Sequence, residues 1–397
     1  MKGEHDMKIS RIESFVLGTR SSKDLLFCRV ETESGLYGWG EAYVTHGKEG
    51  VVAECLRAMA PHLIGRSAFN IRHTGQVIFE DFAIKRGSPE LFSAWSAVEI
   101  ASWDILGKCA GLPVYNLIGG PSRERVRVYA NGWARGSTIE DGVEQGLRVK
   151  AMGFTAAKFD PFPGPWRSFV DRRDEDFAIA YVAAMRQALG PDFELLIEAH
   201  RRFAPAHAIR IGHRLAELGI DWYEEPCLSE NIELVAEVRR AVPIPIVTGE
   251  AICTREAFFE CLAKRAADIL NPDICVVGGI TAMLDIAAMA QPQAVVMAPH
   301  NYNSTLVGLA ATVHVSAVIP NFRITEYFVN FQDLCREIAT TSLTVQDGWI
   351  DLPKAPGLGI DIDVERLRAH PHQEATHRGF RQYWEEYPRK GYVPGLR

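Results

Sequence analysis

Six ionisable residues, Glu198, Glu224, Glu250, Asp273, His300 and Glu326, follow one another at intervals of 26, 26, 23, 27 and 26 positions. Each closes a short, mostly apolar run, where an unpaired charge would be costly to bury. Such an interval is one strand plus one helix, and charged residues at successive barrel-strand ends line the face where barrel enzymes do their chemistry. Glu198, Glu224 and Glu250 make an all-oxygen set suited to a hard divalent cation that keeps positions open for substrate oxygens. Magnesium is the expected ion and manganese the alternative; zinc or copper would draw histidine or thiolate, and no cysteine falls in the set. Asp273 beside His300 would fix one ring nitrogen and leave the other as a general base. Lys158 would meet negative charge growing on the substrate carboxylate. His200, two residues after Glu198, falls on the same side by the period-two rule, where a departing hydroxyl needs a proton. Glu326 would hold a carboxylate oxygen of the substrate, if protonated or otherwise hydrogen-bonded.

Eight β-type runs have to carry these side chains: 125–133, 155–162, 194–200, 221–226, 245–250, 268–273, 294–300 and 322–328. Between them lie segments with apolar residues at helical spacing, such as DEDFAIAYVAAMRQAL and PAHAIRIGHRLAEL, with Gly190 and Gly219 placed as helix stops. Strand–helix alternation predicts an α/β fold with a parallel sheet, and eight strands predict a closed TIM barrel over 126–358. Residues 1–125 read as an α+β domain of their own, with alternating strands followed by helical patterns. The polar, aromatic-rich segment 359–397 is expected to return to that first domain.

The 397 residues are 47% hydrophobic and 23% charged, which is an ordinary globular composition with material for a large core. A net charge of -7 without a basic run excludes nucleic acid as the expected partner. The eight cysteines form no CxxC pair, so free thiols in a reducing cytoplasm are expected rather than a zinc ribbon or a disulfide framework. The charged opening MKGEHDMKISRIESF lacks the features of an export signal. The longest apolar stretch, Leu306 to Pro320, is too short to span a membrane and contains His314, so it reads as a buried barrel helix.

At these positions the chain resembles the enolase superfamily and, within it, the mandelate racemase subgroup. The resemblance covers nearly the whole chain: ASWDILGKCAGLPVYNLIGG, the strand ends EAH, EEP and GE, the pair NPD and APH, ITEY, and the closing PGLGIDID. It implies an N-terminal capping domain over a modified (β/α)7β-barrel, one magnesium on Glu198, Glu224 and Glu250, and a metal-stabilised enediolate. It also implies Asp273–His300 as the base and Glu326 as partner of the substrate carboxylate. Two departures matter. The second strand reads Lys158-Phe159-Asp160 where racemases and epimerases carry lysine at both outer positions, and Glu198 stands where the family usually has aspartate. Without the second lysine a racemase is disfavoured unless His200 serves as the opposite base. The histidine after the first ligand resembles instead the galactonate- and gluconate-type sugar-acid dehydratases.

The expected activity is therefore dehydration of a sugar acid, an aldonate or aldarate, to a 2-keto-3-deoxy acid by a homo-oligomeric enzyme. A cycloisomerase or epimerase of the same subgroup is the nearest rival. A metal-dependent barrel hydrolase is the rival of another class, and would be expected to carry an HxH that the first barrel strand lacks. Specificity is expected from loops around Thr19–Lys23 and Tyr43–Lys48, with His46, Trp133, Arg202 and Tyr302 as candidate substrate contacts.

Overall fold

A computed structural model describes residues 7–20, 23–134, 138–162, 171–302, 304 and 306–373. Three antiparallel strands, β1 (Ile9–Leu17), β2 (Leu25–Thr32) and β3 (Tyr37–Ala42), open the chain. Helices α1 (Glu49–Leu63), α2 (Ile71–Val77), α3 (Pro89–Ala110) and α4 (Val114–Leu117) follow. The long helix α3 has clear punctuation. Ser88 accepts from the Leu91 N–H at its start, Pro89 occupies the first turn, and Gly111 ends it in a left-handed conformation. Its middle is buried on nearly every side because it lies between the cap sheet and the barrel.

The barrel strands arrive in the expected order: β4 (Arg125–Asn131), β5 (Ala156–Phe159), β6 (Glu194–Glu198), β7 (Trp222–Glu224), β8 (Ile246–Thr248), β9 (Ile269–Leu270), β10 (Val296–Met297) and β11 (Thr325–Phe328). Neighbours from β4 to β10 pair in parallel, and β11 returns to pair with β4. The ring closes between β10 and β11 through Met297 N–H to Asn321 O and Arg323 N–H to Met297 O. Seven crossover helices join them: α5 (Ile139–Ala151), α6 (Arg172–Leu189), α7 (Pro205–Ala216), α8 (Ile232–Ala241), α9 (Arg255–Ala263), α10 (Gly279–Ala290) and α11 (Val307–Val318). The fold is thus a (β/α)7β-barrel with an N-terminal α+β domain. Gly190 caps α6 directly, whereas α7 stops at Ala216, three residues before Gly219. The apolar stretch around His314 is helix α11, buried along its whole length. Among the described residues no helix is long and apolar enough to cross a membrane.

The lumen has a floor made of one side chain from each strand or its flank: Tyr129, Ala156, Leu196, Trp222, Val247, Ile269, Ala298 and Ile324. Side chains two positions further along a strand point the same way. The next layer is therefore Asn131, Lys158, Glu198, Glu224, Gly249, Asn271, His300 and Glu326. An apolar plug lies directly beneath a ring of polar groups. Only strand β8 offers no side chain to that ring. Gly249, at φ +145, leaves the strand register there, and a Cβ would meet the Asn271 backbone at 3.1 Å.

The elements after β11 had no counterpart in the sequence. Strands β13 (Val345–Gln346) and β14 (Trp349–Asp351) form a hairpin that pairs antiparallel with the start of β4. Before it, helix α12 (Gln332–Ile338) leads into β12 (Ala339–Thr341). After it, β15 (Asp361–Ile362) pairs with β12 and is followed by α13 (Val364–Arg368). Asp361 there accepts from Tyr37 Oη at 2.7 Å and Trp39 Nε1 at 2.8 Å, both on strand β3. Residues 374–397 of the expected returning segment lie outside the described residues.

Two buried cap carboxylates bind the start of barrel helices. Glu41 on β3 accepts from Gly308 N–H at 2.9 Å and Ser304 Oγ at 2.7 Å, at α11. Glu99 on α3 accepts from Ile280 N–H and Thr281 N–H at 2.8 and 2.9 Å, at α10. A carboxylate at a helix N-terminus meets unpaired N–H groups and the positive end of the helix dipole. Burial nevertheless pushes both acids up to about 7.

Strand β3 and helix α3 approach so closely that a Cβ on Gly40 would overlap the Ala97 carbonyl. Gly40→Ala should therefore destabilise the protein by about 1–3 kcal/mol or more, as overpacked cores do. A urea midpoint equal to that of the parent would show that this close approach is not required.

Candidate active site

Glu198, Glu224 and Glu250 each offer an oxygen within 4.8 Å of the others, and all three stand at the C-terminal ends of adjacent strands. Glu198 and Glu224 reach the cluster by the strand register described above. Glu250 reaches it because the backbone turns at Gly249. The electrostatics of the set suit a cation. Burial raises Glu224 well above the usual carboxylate range, and Glu198 adds to this although Lys158 opposes it. One oxygen each of Glu198 and Glu224, both Oε2, is buried without a hydrogen-bond partner among the described residues. Crowded carboxylates with orphaned oxygens are the donor chemistry of a hard divalent ion. Two cations border this cluster. Lys158 Nζ donates to Glu224 Oε1 at 2.5 Å and lies 3.1 Å from Glu326 and 3.5 Å from Glu198. Arg201 bonds Glu250 Oε1 and lies 3.7 Å from Glu225.

His300 Nδ1 donates to Asp273 Oδ2 at 2.7 Å, so its Nε2 faces the cavity, 3.1 Å from Glu250 and 3.4 Å from Glu326. Burial disfavours the imidazolium, but Glu326, Glu250 and the Asp273 hydrogen bond outweigh it and hold His300 well above the usual histidine range. Lys158 behaves likewise. Its burial is overcome by Glu224 and Glu326, which keep the ammonium charged. Burial acts against the charge of Glu326, yet Lys158, His300 and the Asn301 N–H hold it below the usual range. Glu326 is therefore an ionised acceptor here, hydrogen-bonded by Asn131 Nδ2 at 2.5 Å and Asn301 N–H at 2.9 Å, rather than a protonated donor.

His200 also reaches this cavity, though not by strand pleating. Strand β6 ends at Glu198, and His200 and Arg201 take left-handed conformations at φ +49 and +61. The turn is held by His200 N–H to Glu198 Oε1 at 2.6 Å and Arg201 N–H to Glu225 O at 2.7 Å. Such backbone is costly for non-glycine residues and is characteristic of functional sites. His200 Nδ1 donates to Asp160 Oδ2 at 2.7 Å. Burial works against its charge, and Glu198, Asp160 and Glu250 together raise it above the usual value.

Several residues went unassigned in the sequence. Asp160, noted there only as a missing lysine, is the partner that orients His200, and Arg202 bonds the same oxygen. Asn271 donates to Glu224 Oε1 at 2.8 Å, and Asn131 holds Glu326. Both asparagines stand two positions beyond a floor residue, so the period-two pattern carried the signal. Arg201 and Lys23 had no such pattern. Of the suggested contacts, Tyr302 lies beside His300, with ring centroids 6.1 Å apart. Trp133 instead donates to Ala130 O and packs on Phe159, and Arg202 is buried in the turn. His46 is half-buried on the segment after β3.

Comparison with known proteins agrees with the fold. Residues 7–119 match the mandelate racemase / muconate lactonizing enzyme N-terminal domain, and 142–367 match the enolase C-terminal domain-like family. The chain belongs to the mandelate racemase / muconate lactonizing enzyme family. One family member, a "D-galactonate dehydratase family member" of Streptomyces bingchenggensis, is 32% identical over 91% of this chain and 93% of its own length. A D-galactarolactone cycloisomerase of Agrobacterium fabrum is 30% identical over 85% of this chain and 89% of its own. The crystal structure of a mandelate racemase/muconate lactonizing enzyme from Sulfitobacter sp. superposes with a TM-score of 0.86 at 34% identity, covering 92% of this chain and 96% of that one.

Asn271 supports the candidate metal set from outside it. Asn271→Ala should weaken magnesium binding by about ten- to a hundredfold, as loss of an outer-shell partner does elsewhere. Titration calorimetry with magnesium checks this, and an unchanged affinity would remove Glu224 from the ligands that matter.

Proposed function

We propose that this chain is a magnesium-dependent dehydratase of a sugar acid, an aldonate or aldarate, giving a 2-keto-3-deoxy acid. The observation that carries the reading is a pair of Asp–His couples, Asp273–His300 and Asp160–His200, in one cavity with the carboxylate cluster. Glu198, Glu224 and Glu250 would hold the cation. When bound, it supplies positive charge against the substrate carboxylate and offsets the Glu250 charge that favours the imidazolium of His300.

Asp273 fixes the tautomer of His300, so Nε2 is the atom that removes the α-proton. Lys158, charged and buried, meets negative charge as it moves onto the substrate carboxylate, where a low-dielectric setting makes it effective. Glu326 holds Lys158 and His300 toward that carboxylate. His200, kept protonated by Glu198 and Asp160, donates its proton as the β-hydroxyl leaves as water. The electron pair of the broken C–H bond then forms the enol, which becomes the ketone. The aspartate at position 160 favours this over racemisation, because it turns His200 into a proton donor where a second lysine base would stand. A cycloisomerase shares the first proton transfer, and the cycloisomerase relative keeps that reading as the alternative.

Product analysis separates the two: a dehydratase yields a 2-keto acid that semicarbazide detects, whereas an isomerase leaves that assay blank. His300→Asn should abolish turnover while magnesium binding persists; normal turnover in that variant would take the imidazole out of the mechanism. His200→Asn should lower dehydration by about 10²–10⁴-fold, the usual worth of a general acid. It should still exchange the α-proton in deuterated water, followed by proton NMR. Loss of exchange together with dehydration would place His200 at the first step instead.

A further inference from the structure

The cap contributes one charged side chain to the cavity that the proposed mechanism leaves unused. Lys23 is buried, 5% exposed, and its Nζ lies 3.2 Å from the ring centroid of Tyr302 and 4.6 Å from that of Tyr43. Both rings flank the base, their centroids 6.1 and 6.3 Å from that of His300. The ammonium is thus within reach of the far end of a six-carbon chain whose C2 faces the imidazole.

The other cations around the cavity, Lys158, Arg201 and Arg202, each have a carboxylate within ion-pair distance. For Lys23 Nζ there is no hydrogen bond or ion pair among the described residues, only the two aromatic faces. Burial holds it well below the usual lysine range, against the more distant pull of Asp273, Glu250, Glu326 and Glu49. Aromatic rings attract a cation but do not neutralise it, and a buried charge without a counter-charge is expensive. A ligand carboxylate would supply that counter-charge.

We propose that Lys23 is a specificity-determining residue that binds the distal carboxylate of a six-carbon aldaric acid, so that the preferred substrate is a hexarate rather than a hexonate. This rests on the dehydratase reading for the position of the first carboxylate, at the cluster of Glu198, Glu224 and Glu250. The second carboxylate then lies under the cap between Tyr43 and Tyr302. A hexonate presents a neutral hydroxyl there and leaves the ammonium unpaired.

The test is titration calorimetry of the magnesium-loaded full chain with hexarates and hexonates, on the parent, Lys23→Met and Lys23→Arg. The parent should bind hexarates more tightly than hexonates. Lys23→Met should lose about a hundredfold in hexarate affinity, as removal of one member of a buried charge pair does, with a loss at least tenfold smaller on hexonates. Lys23→Arg, which keeps the charge, should retain the hexarate preference. Equal losses on both ligands, or a parent without preference, would overturn the assignment. Turnover is read separately. A hexarate preference without 2-keto product refutes the dehydratase reading and leaves Lys23 in place, whereas dehydration of hexonates alone refutes only the role of Lys23.

Discussion

The constraint on which the rest depends is the crowding of acids above an apolar floor. Glu198, Glu224, Glu250, Asp273 and Glu326 are buried or nearly so, within a lumen sealed from below by Tyr129, Leu196, Trp222 and their neighbours. Carboxylates so placed repel one another and lose the solvation that would screen them. Several polar groups around them answer that repulsion. Lys158 lies between three of the acids, Arg201 and His300 take the two oxygens of Glu250, and Asn131 and Asn271 donate to Glu326 and Glu224. Two oxygens remain orphaned, on Glu198 and Glu224, which is where a divalent ion has something to add. Removing a single acid would also unbalance the cations, so the cluster behaves as one unit.

The two histidines of this charged set have closely parallel settings. Both histidines are tied through Nδ1 to an aspartate, and both gain affinity for a proton from nearby acids. For His300 the acids are Glu326 and Glu250, and Glu250 belongs to the candidate ligand set. For His200 the supporting charges include Asp160, which stands outside that set. Charge placed on the candidate ligands therefore bears on both rings, on His300 through Glu250 and on His200 through Glu198 and Glu250.

Much of this was legible in the sequence because a barrel converts chain distance into angular position. Eight β-type runs gave the strand count, the near-constant spacing of the six residues put them at one end, and the period of two within a strand places Lys158, Glu198, Glu224, His300 and Glu326 in one layer. The pattern fails where the backbone leaves the strand. Glu250 is out of phase with its lumen-facing neighbour Val247 and enters the site only through the Gly249 turn; the interval between strand ends indicated it, and the period of two did not. His200 was placed in the cavity by a pleat that ends two residues before it. Asp160 was read only as an absent lysine, since its meaning depends on a histidine 40 positions away. The hairpin Val345–Asp351 was missed because its strands are two and three residues long, too short for alternation to register.

The cap is least legible of all, because its residues meet the site only through tertiary contacts between segments far apart in the chain. Its attachment is nonetheless chemically specific. Glu41 and Glu99 grip the first turns of the two helices that flank strand β10, and that strand leads into His300. Ser304, held by Glu41, lies four residues beyond His300 and also accepts from the Leu309 N–H. The cap therefore fixes the segment carrying His300 and Tyr302 at the same time as it delivers Lys23 over it. A barrel alone would present its acids to solvent, where charge pairs are screened and weak. Covered by the cap, the same groups act across a short, poorly screened distance, so the cap also sets the field around His300.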